Sequence, residues 1–217
     1  MSDTFREAAS DYAFLLDRSY PGNTLLELVG TRYGLSRKER NILYRGVFAK
    51  AESQKRNARL IKDPHKINLP VYIDGNNQLY TLAAYLNGDP VFKSTDGFVR
   101  DAASDHGSGK LQKFLERAVE LLSEWIRRNA LIEVYLYLDK HLAPEDHAKL
   151  FGSQTGFKVM ISNKVDQSLR AVETGTIATS DSQIIDKAKV PVFDLSAQIL
   201  RDVFSANFLS LKFLNVK

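Results

Sequence analysis

From Leu69 onward, short runs dense in Val, Ile and Tyr ("LPVYID", "IEVYLYLD", "FKVMIS", "GTIATSD", "VPVFD") alternate with stretches of helical period. The latter are "NQLYTLAAYLNG", "GKLQKFLERAVELLSEWIRRNA", "APEDHAKLFGSQ", "SQIIDKAK" and "SAQILRDVF". Buried strands separated by amphipathic helices bury both their faces most simply as parallel βαβ units. The expectation over residues 67–217 is therefore an α/β three-layer sandwich with a mainly parallel sheet, in which "PVFKST" is one more short strand. Functional groups in such sheets collect beyond the carboxyl ends of the strands.

Residues 1–66 read differently. Phe5, Ala8, Ala9, Tyr12, Leu15 and Leu16 recur at helical spacing, and "SYPGN" breaks the pattern. A second helix follows Asn23 and stops at Gly34. A third opens at Ser36, where "SRKE" spells a capping box. Helix, Gly-containing turn and helix give a helix-turn-helix-like all-α domain, with Arg37, Lys38, Arg40 and Arg45 on its second helix where phosphate or base contacts are made. A plain αα-hairpin writes the same pattern.

Charge is concentrated in this part of the chain. Residues 1–31 carry two basic and five acidic side chains, residues 32–66 eleven and three, and the remainder seventeen and eighteen. One segment of net charge +8 beside a near-neutral region rich in aspartate suits a nucleic acid held by one part and processed by another. A solvated helical linker would carry the same run.

The acids of the second region have a common position. Asp74 follows "VYI", Asp96 follows "VFKST", Asp139 follows "VYLYL" and Asp181 follows "TIATS", each at or just past a strand's carboxyl end. Carboxylates from distant parts of the chain that converge on one sheet edge repel one another unless a cation sits among them. Oxygen ligands without cysteine or paired histidines suit Mg²⁺ or Mn²⁺. Each residue also has a local use: Asp181, Ser180, Asn76 and Asn77 can cap helices, and Asp96 fits a "DG" turn.

Other chemistries lack their residues. The absence of cysteine removes disulfides and Cys-based nucleophiles or zinc sites, and agrees with a cytoplasmic protein. No apolar run approaches the ~20 residues of a bilayer span, so no membrane partner is expected. "DGNN" supplies one glycine where a dinucleotide fingerprint needs three, there is no G-x-S-x-G elbow, and Asn76 stands where a haloacid-dehalogenase phosphatase needs its second Asp.

"IDGNN" entering a helix, "YLD" at a later strand end and "ATSDSQIID" resemble the PIN and NYN-type nuclease superfamily. The chain as a whole, through "DYAFLLDRSYP", "LELVGTRYGLSRKERNILYRGVF", "DGFVRD" and "HGS", resembles a prokaryotic, largely archaeal domain-of-unknown-function family. The resemblance implies a PIN-like domain with Asp74 as first metal ligand, Gly75 for close backbone approach and Asn77 orienting ligand or phosphate. It makes Asp139 the central strand-end acid and Asp181 the late one, with Asp96 and Asp101 as rivals for a further place and Asp186 a further metal ligand if the helix turns it the same way as Asp181. Lys140, where the resemblance leads one to expect serine-rich sequence, would oppose the charge of Asp139.

The expected function is hydrolysis of phosphodiester bonds, in RNA more than DNA, by Asp74, Asp139, Asp181 and Asp96 or Asp101 around Mg²⁺ or Mn²⁺. By analogy with the superfamily the products would carry 5′-phosphates. Asn76, Asn77, Ser180, Arg100, Arg37, Lys38, Arg40 and Arg45 would contact the substrate. The competing expectation is a non-catalytic helix-turn-helix nucleic-acid-binding regulator or adaptor with a degenerate PIN-like scaffold. A homo-oligomer is compatible with either.

Overall fold

The computed structural model describes residues 2–102, 111–140 and 157–212. The helix expected over residues 143–154 and the histidines His106, His141 and His147 lie outside them. An N-terminal four-helix region is followed by an α/β domain with a six-stranded, all-parallel sheet. The described residues form two compact units between which the chain passes more than once. One unit takes those within Met1–Ala58, Asp89–Ser104 and Phe208–Lys217, the other those within Arg59–Gly88 and Asp105–Asn207. A single boundary after residue 66 therefore gives way to an interleaved division.

In the helical unit, α1 (Asp3–Asp17), α2 (Gly22–Arg32) and α3 (Arg37–Gly46) pack on one another, and α4 (Lys50–Arg59) follows. The turn between α2 and α3 holds Gly34 at φ +59°, a conformation that disfavours side chains, and buries Leu35. Ser36 caps α3 with the reciprocal bonds to Glu39 that its sequence foretells. The core comprises Phe5, Ala8, Ala9, Tyr12, Leu25, Val29, Leu35, Leu43 and Val47, with Phe92, Ala102 and Leu211 from later segments. Those later residues belong to or adjoin a second, three-stranded sheet. In it β3 (Val91–Lys93) pairs antiparallel with β4 (Val99–Asp101) and parallel with β9 (Leu209–Ser210). "PVFKST" thus enters a hairpin, turned at Gly97 (φ +94°), and not the parallel sheet.

The α/β unit has strand order β1 (Leu60–Ile61), β8 (Val192–Phe193), β7 (Thr176–Ala178), β2 (Val71–Asp74), β5 (Val134–Asp139), β6 (Phe157–Ser162). Helices α5 (Gly75–Leu86), α6 (Gln112–Arg128) and α9 (Leu195–Phe204) pack together; the short α7 (Val165–Arg170) and α8 (Ser182–Lys187) form a separate group, and α5 and α7 both touch β2 and β5. One face of β2 and β5 is sealed by Val71, Ile73, Val134, Leu136 and Leu138, while Tyr72, Tyr135 and Tyr137 on the other are half-buried. Among the described residues no helix is long and apolar enough to cross a membrane.

Candidate functional site

The site starts from the sequence IDGNN at the end of β2. Asp74 ends the strand and caps α5: one carboxylate oxygen accepts from the Asn77 amide at 3.4 Å, the other from the Thr179 hydroxyl at 2.8 Å. Gly75 lies so close to β5 that a Cβ there would stand 2.7 Å from Tyr137 O and from Leu138 Cδ2. Close backbone approach is thus required, and its partner is the neighbouring strand. Asn76 Oδ1 accepts from the Asp139 amide at 2.6 Å, and Asn77 Oδ1 accepts from the Ser180 amide at 2.9 Å and hydroxyl at 3.0 Å. Through these oxygens the two asparagines, expected from sequence to contact substrate, also fix the ends of β5 and β7 relative to Asp74.

Because β2, β5, β6 and β7 run parallel, their carboxyl ends share one edge. Asp74 and Asp139 terminate their strands, and Asp181 follows β7 while capping α8 through Gln183 N at 2.7 Å and Ile184 N at 3.2 Å. A fourth carboxylate joins them. Asp166, in the first turn of α7 after β6, is paired with Arg170 at 3.0 Å.

The negative charges at this edge bear on Asp74 and Asp166. Burial pushes Asp74 up to about 7, and the negative charges of Asp181 and Asp166 add to the rise against the hydrogen bonds from Thr179 and Asn77. Burial likewise raises Asp166, helped by Asp181 and Asp139 and opposed by Arg170. Yet among the described residues no three His, Asp or Glu side chains are grouped closely enough to hold one metal ion. The donor chemistry suits a hard cation, whereas closing on one would need the rim acids to shift inward.

The remaining sequence candidates lie elsewhere. Asp96 belongs to the helical unit, where its carboxylate meets Arg100 at 2.9 Å through both oxygens, Arg56 at 3.5 Å and Ser94 at 2.7 Å. Burial alone would raise its pKa, but the Arg100 guanidinium, these hydrogen bonds and Arg56 hold it below the ordinary range. Asp101, fully buried in the same unit, takes both Arg45 nitrogens at 3.1 and 3.3 Å. Carboxylates matched in this way are not metal ligands, so Asp96 and Asp101 leave the expected set. The same pairs remove Arg100 and Arg45 as substrate contacts. Arg40 is also structural: it lies against Gly30 and donates to the carbonyls of Leu35 at 3.2 Å and Leu26 at 3.3 Å. Arg37 and Lys38 are exposed, with Lys38 3.9 Å from Asp89. Asp186 sits five residues beyond Asp181, roughly 140° around the helix at ~100° per residue, and so does not share its direction.

Asp166 escaped the sequence reading because its strand ends at Ser162 and the acid comes four residues later, on a helix too short to show periodicity. The signal available was an acid shortly after a β-rich run, "FKVMISNKVD".

The family model described as "Domain of unknown function (DUF5616)" matches residues 66–198, and that described as "Protein of unknown function (DUF434)" matches residues 4–59. "Uncharacterized protein MJ0935" of the archaeon Methanocaldococcus jannaschii is 28% identical over 204 residues, covering 91% of this chain and 97% of its own length. No solved structure matches.

Proposed function

We propose that this chain, which belongs to the family described as "Domain of unknown function (DUF5616)", is a metal-dependent nuclease that hydrolyses phosphodiester bonds, with RNA as substrate. The observation that carries the reading is the placement of Asp74, Asp139, Asp166 and Asp181 along one edge of a parallel sheet, where burial and neighbouring carboxylates raise Asp74 to about 7. A buried carboxyl that ionises near neutrality, beside other carboxylates, is unfavourable for stability alone and common where a proton or cation is exchanged.

In this reading Asp74, Asp139, Asp166 and Asp181 would hold Mg²⁺ or Mn²⁺ once the rim acids shift inward. Such an ion, when bound, supplies Lewis acidity that activates water and offsets charge on the phosphate. The chain contributes position. Thr179 and the Asn77 amide aim the Asp74 carboxylate, Asn76 fixes the end of β5 at Asp139, and the amides of α8 aim Asp181. Arg170, held by Asp166, is a cation already at this edge and is suited to a phosphate oxygen.

The test compares the purified chain with Asp74→Asn on labelled single-stranded RNA in Mn²⁺. Cleavage by the parent and a loss of at least about 100-fold in the variant are expected; equal cleavage discards the assignment. A second reading, a non-catalytic nucleic-acid-binding protein whose α/β domain is a scaffold, is favoured by the lack of a closed three-ligand group among the described residues. Titration calorimetry with Mn²⁺ separates the two. Heat lost on Asp139→Asn supports the nuclease, and no heat from the parent supports the scaffold.

A further inference from the structure

Of the four basic residues expected to make helix-turn-helix contacts, Arg37 and Lys38 are exposed and the other two are spent inside the unit. Arg40 and Arg45 are turned inward on α3. On α4 the pattern differs. Lys50, Gln54 and Asn57 recur at four- and three-residue spacing, one stripe of a helix. They line a cleft of about 470 Å³, wholly within the helical unit, with Ser53, Ala58, Thr95 and Lys212.

Among the described residues the lining holds two ammonium groups, two amides and two hydroxyls, and beside it the Asp17 carboxylate accepts from the Lys50 amide at 2.6 Å. Its floor is rigid: the Ser53 and Thr95 hydroxyls meet at 2.9 Å, Thr95 Oγ1 accepts from the Phe48 amide at 3.1 Å, and Asn57 donates to Asp96 O at 3.0 Å. Behind the floor two guanidiniums, Arg56 and Arg100, converge on the single buried carboxylate of Asp96, with Glu52 reaching Arg56 from the exposed side at 3.7 Å. Lys212 is carried into place by Leu211, which is fully buried and whose amide donates to Lys93 O at 2.8 Å. A recess whose two charged lining side chains among the described residues, Lys50 and Lys212, are both cationic favours an anion. Its volume lies in the range of small-ligand pockets, and among the described residues its wall carries no aromatic ring on which a base could stack.

We propose that this cleft holds the sugar–phosphate backbone of a single-stranded polynucleotide without reading its bases. The proposal rests on the nucleic-acid substrate proposed above and assigns the grip to α4 instead of the second helix of the helix-turn-helix-like pair.

Fluorescence anisotropy of the full chain, in EDTA so that no strand is cut, reads binding of labelled oligouridylate and oligoadenylate across a salt series. Lys50→Ala with Lys212→Ala is expected to weaken both by at least about 10-fold. It should also flatten the dependence of log K on log salt by about 1.4, at ~0.7 per phosphate contact on single strands. Lys50→Arg with Lys212→Arg should retain binding, and Arg37→Ala with Lys38→Ala should change it less than the first pair. Unchanged affinity and slope in the first pair overturns the proposal, as does a loss confined to one base. Displacement of the oligonucleotide by inorganic phosphate at matched phosphate concentration assigns the cleft to small anions and overturns it too. Lysine-dependent binding by a parent that cuts no RNA in Mn²⁺ would sink the nuclease reading and leave this one standing.

Discussion

Asp74 makes a pH dependence that can be measured without knowing any substrate. Its carboxyl is raised to about 7 in the folded chain against ~3.9 for an unperturbed aspartate. The native protein therefore keeps a proton that the unfolded chain releases between about pH 4 and 7. The stability tied to that proton is present below the unfolded value and fades as pH rises through the folded one, at up to about 1.4 kcal/mol per pH unit. Asp74→Asn should flatten this slope, read as the difference in chemical-denaturation midpoints at pH 5 and pH 8. Millimolar Mg²⁺ or Mn²⁺ at pH 8 should raise the Tm of the parent and not of the variant, because a ligand stabilises only the state that binds it. Next to it, Gly75→Ala forces a methyl against Tyr137 O and Leu138 Cδ2, and a loss of about 1–3 kcal/mol is expected in urea unfolding. Asp74, Asp139 and Asp181 were legible in the sequence because an acid closing a Val- and Ile-rich run marks a strand's carboxyl end. That position does not say which sheet the strand joins, which is why Asp96 looked equivalent; nor does it reach Asp166, whose acid waits for the following helix.

The hairpin of β3 and β4 shows what an element gains from ionic neighbours. Asp96 in its turn is fully buried and shared between Arg100 of the hairpin and Arg56 of α4. Removing one member of a buried pair leaves uncompensated charge, so Asp96→Ala should destabilise the helical unit by about 3–5 kcal/mol. The pH dependence here runs opposite to that of Asp74. The lowered carboxyl contributes stability above its unfolded value, and that contribution is lost as pH falls through its folded value. Acid unfolding followed by circular dichroism should show this loss in the parent and not in Asp96→Ala. The capping box of α3 was readable because it is local, a Ser and a Glu three residues apart. The use made of Arg40 and Arg45 was not, since their partners come from other turns or from a residue more than fifty positions away, whereas Arg100 pairs with Asp96 only four residues before it.

At the scale of the molecule, the sequence order of elements predicted the parallel sheet well and the division into units poorly. The helical unit is completed by Phe92 and Ala102 from one excursion and by Leu211 from another, all in its core. A charge change near residue 66 marks where composition shifts, whereas a folding unit ends where apolar contacts and ion pairs end. A fragment of residues 1–66 lacks the core residues of that unit's sheet and the carboxylates that neutralise Arg45 and Arg56. It is expected to unfold without a cooperative transition and to be digested rapidly by trypsin, while the full chain resists; a sharp melt from the fragment would refute this.

The pairing of Leu209 and Ser210 with Phe92 and Lys93 also has a temporal side. A ribosome delivers Phe5 and Tyr12 long before Leu211, so the first helices to emerge must wait, with one wall of their interior missing, until nearly two hundred further residues have been translated. Nascent helices in that position are natural clients for chaperones, and loss of the segment Leu209–Leu211 would spoil the earliest-made part of the protein while sparing the portion synthesised in between.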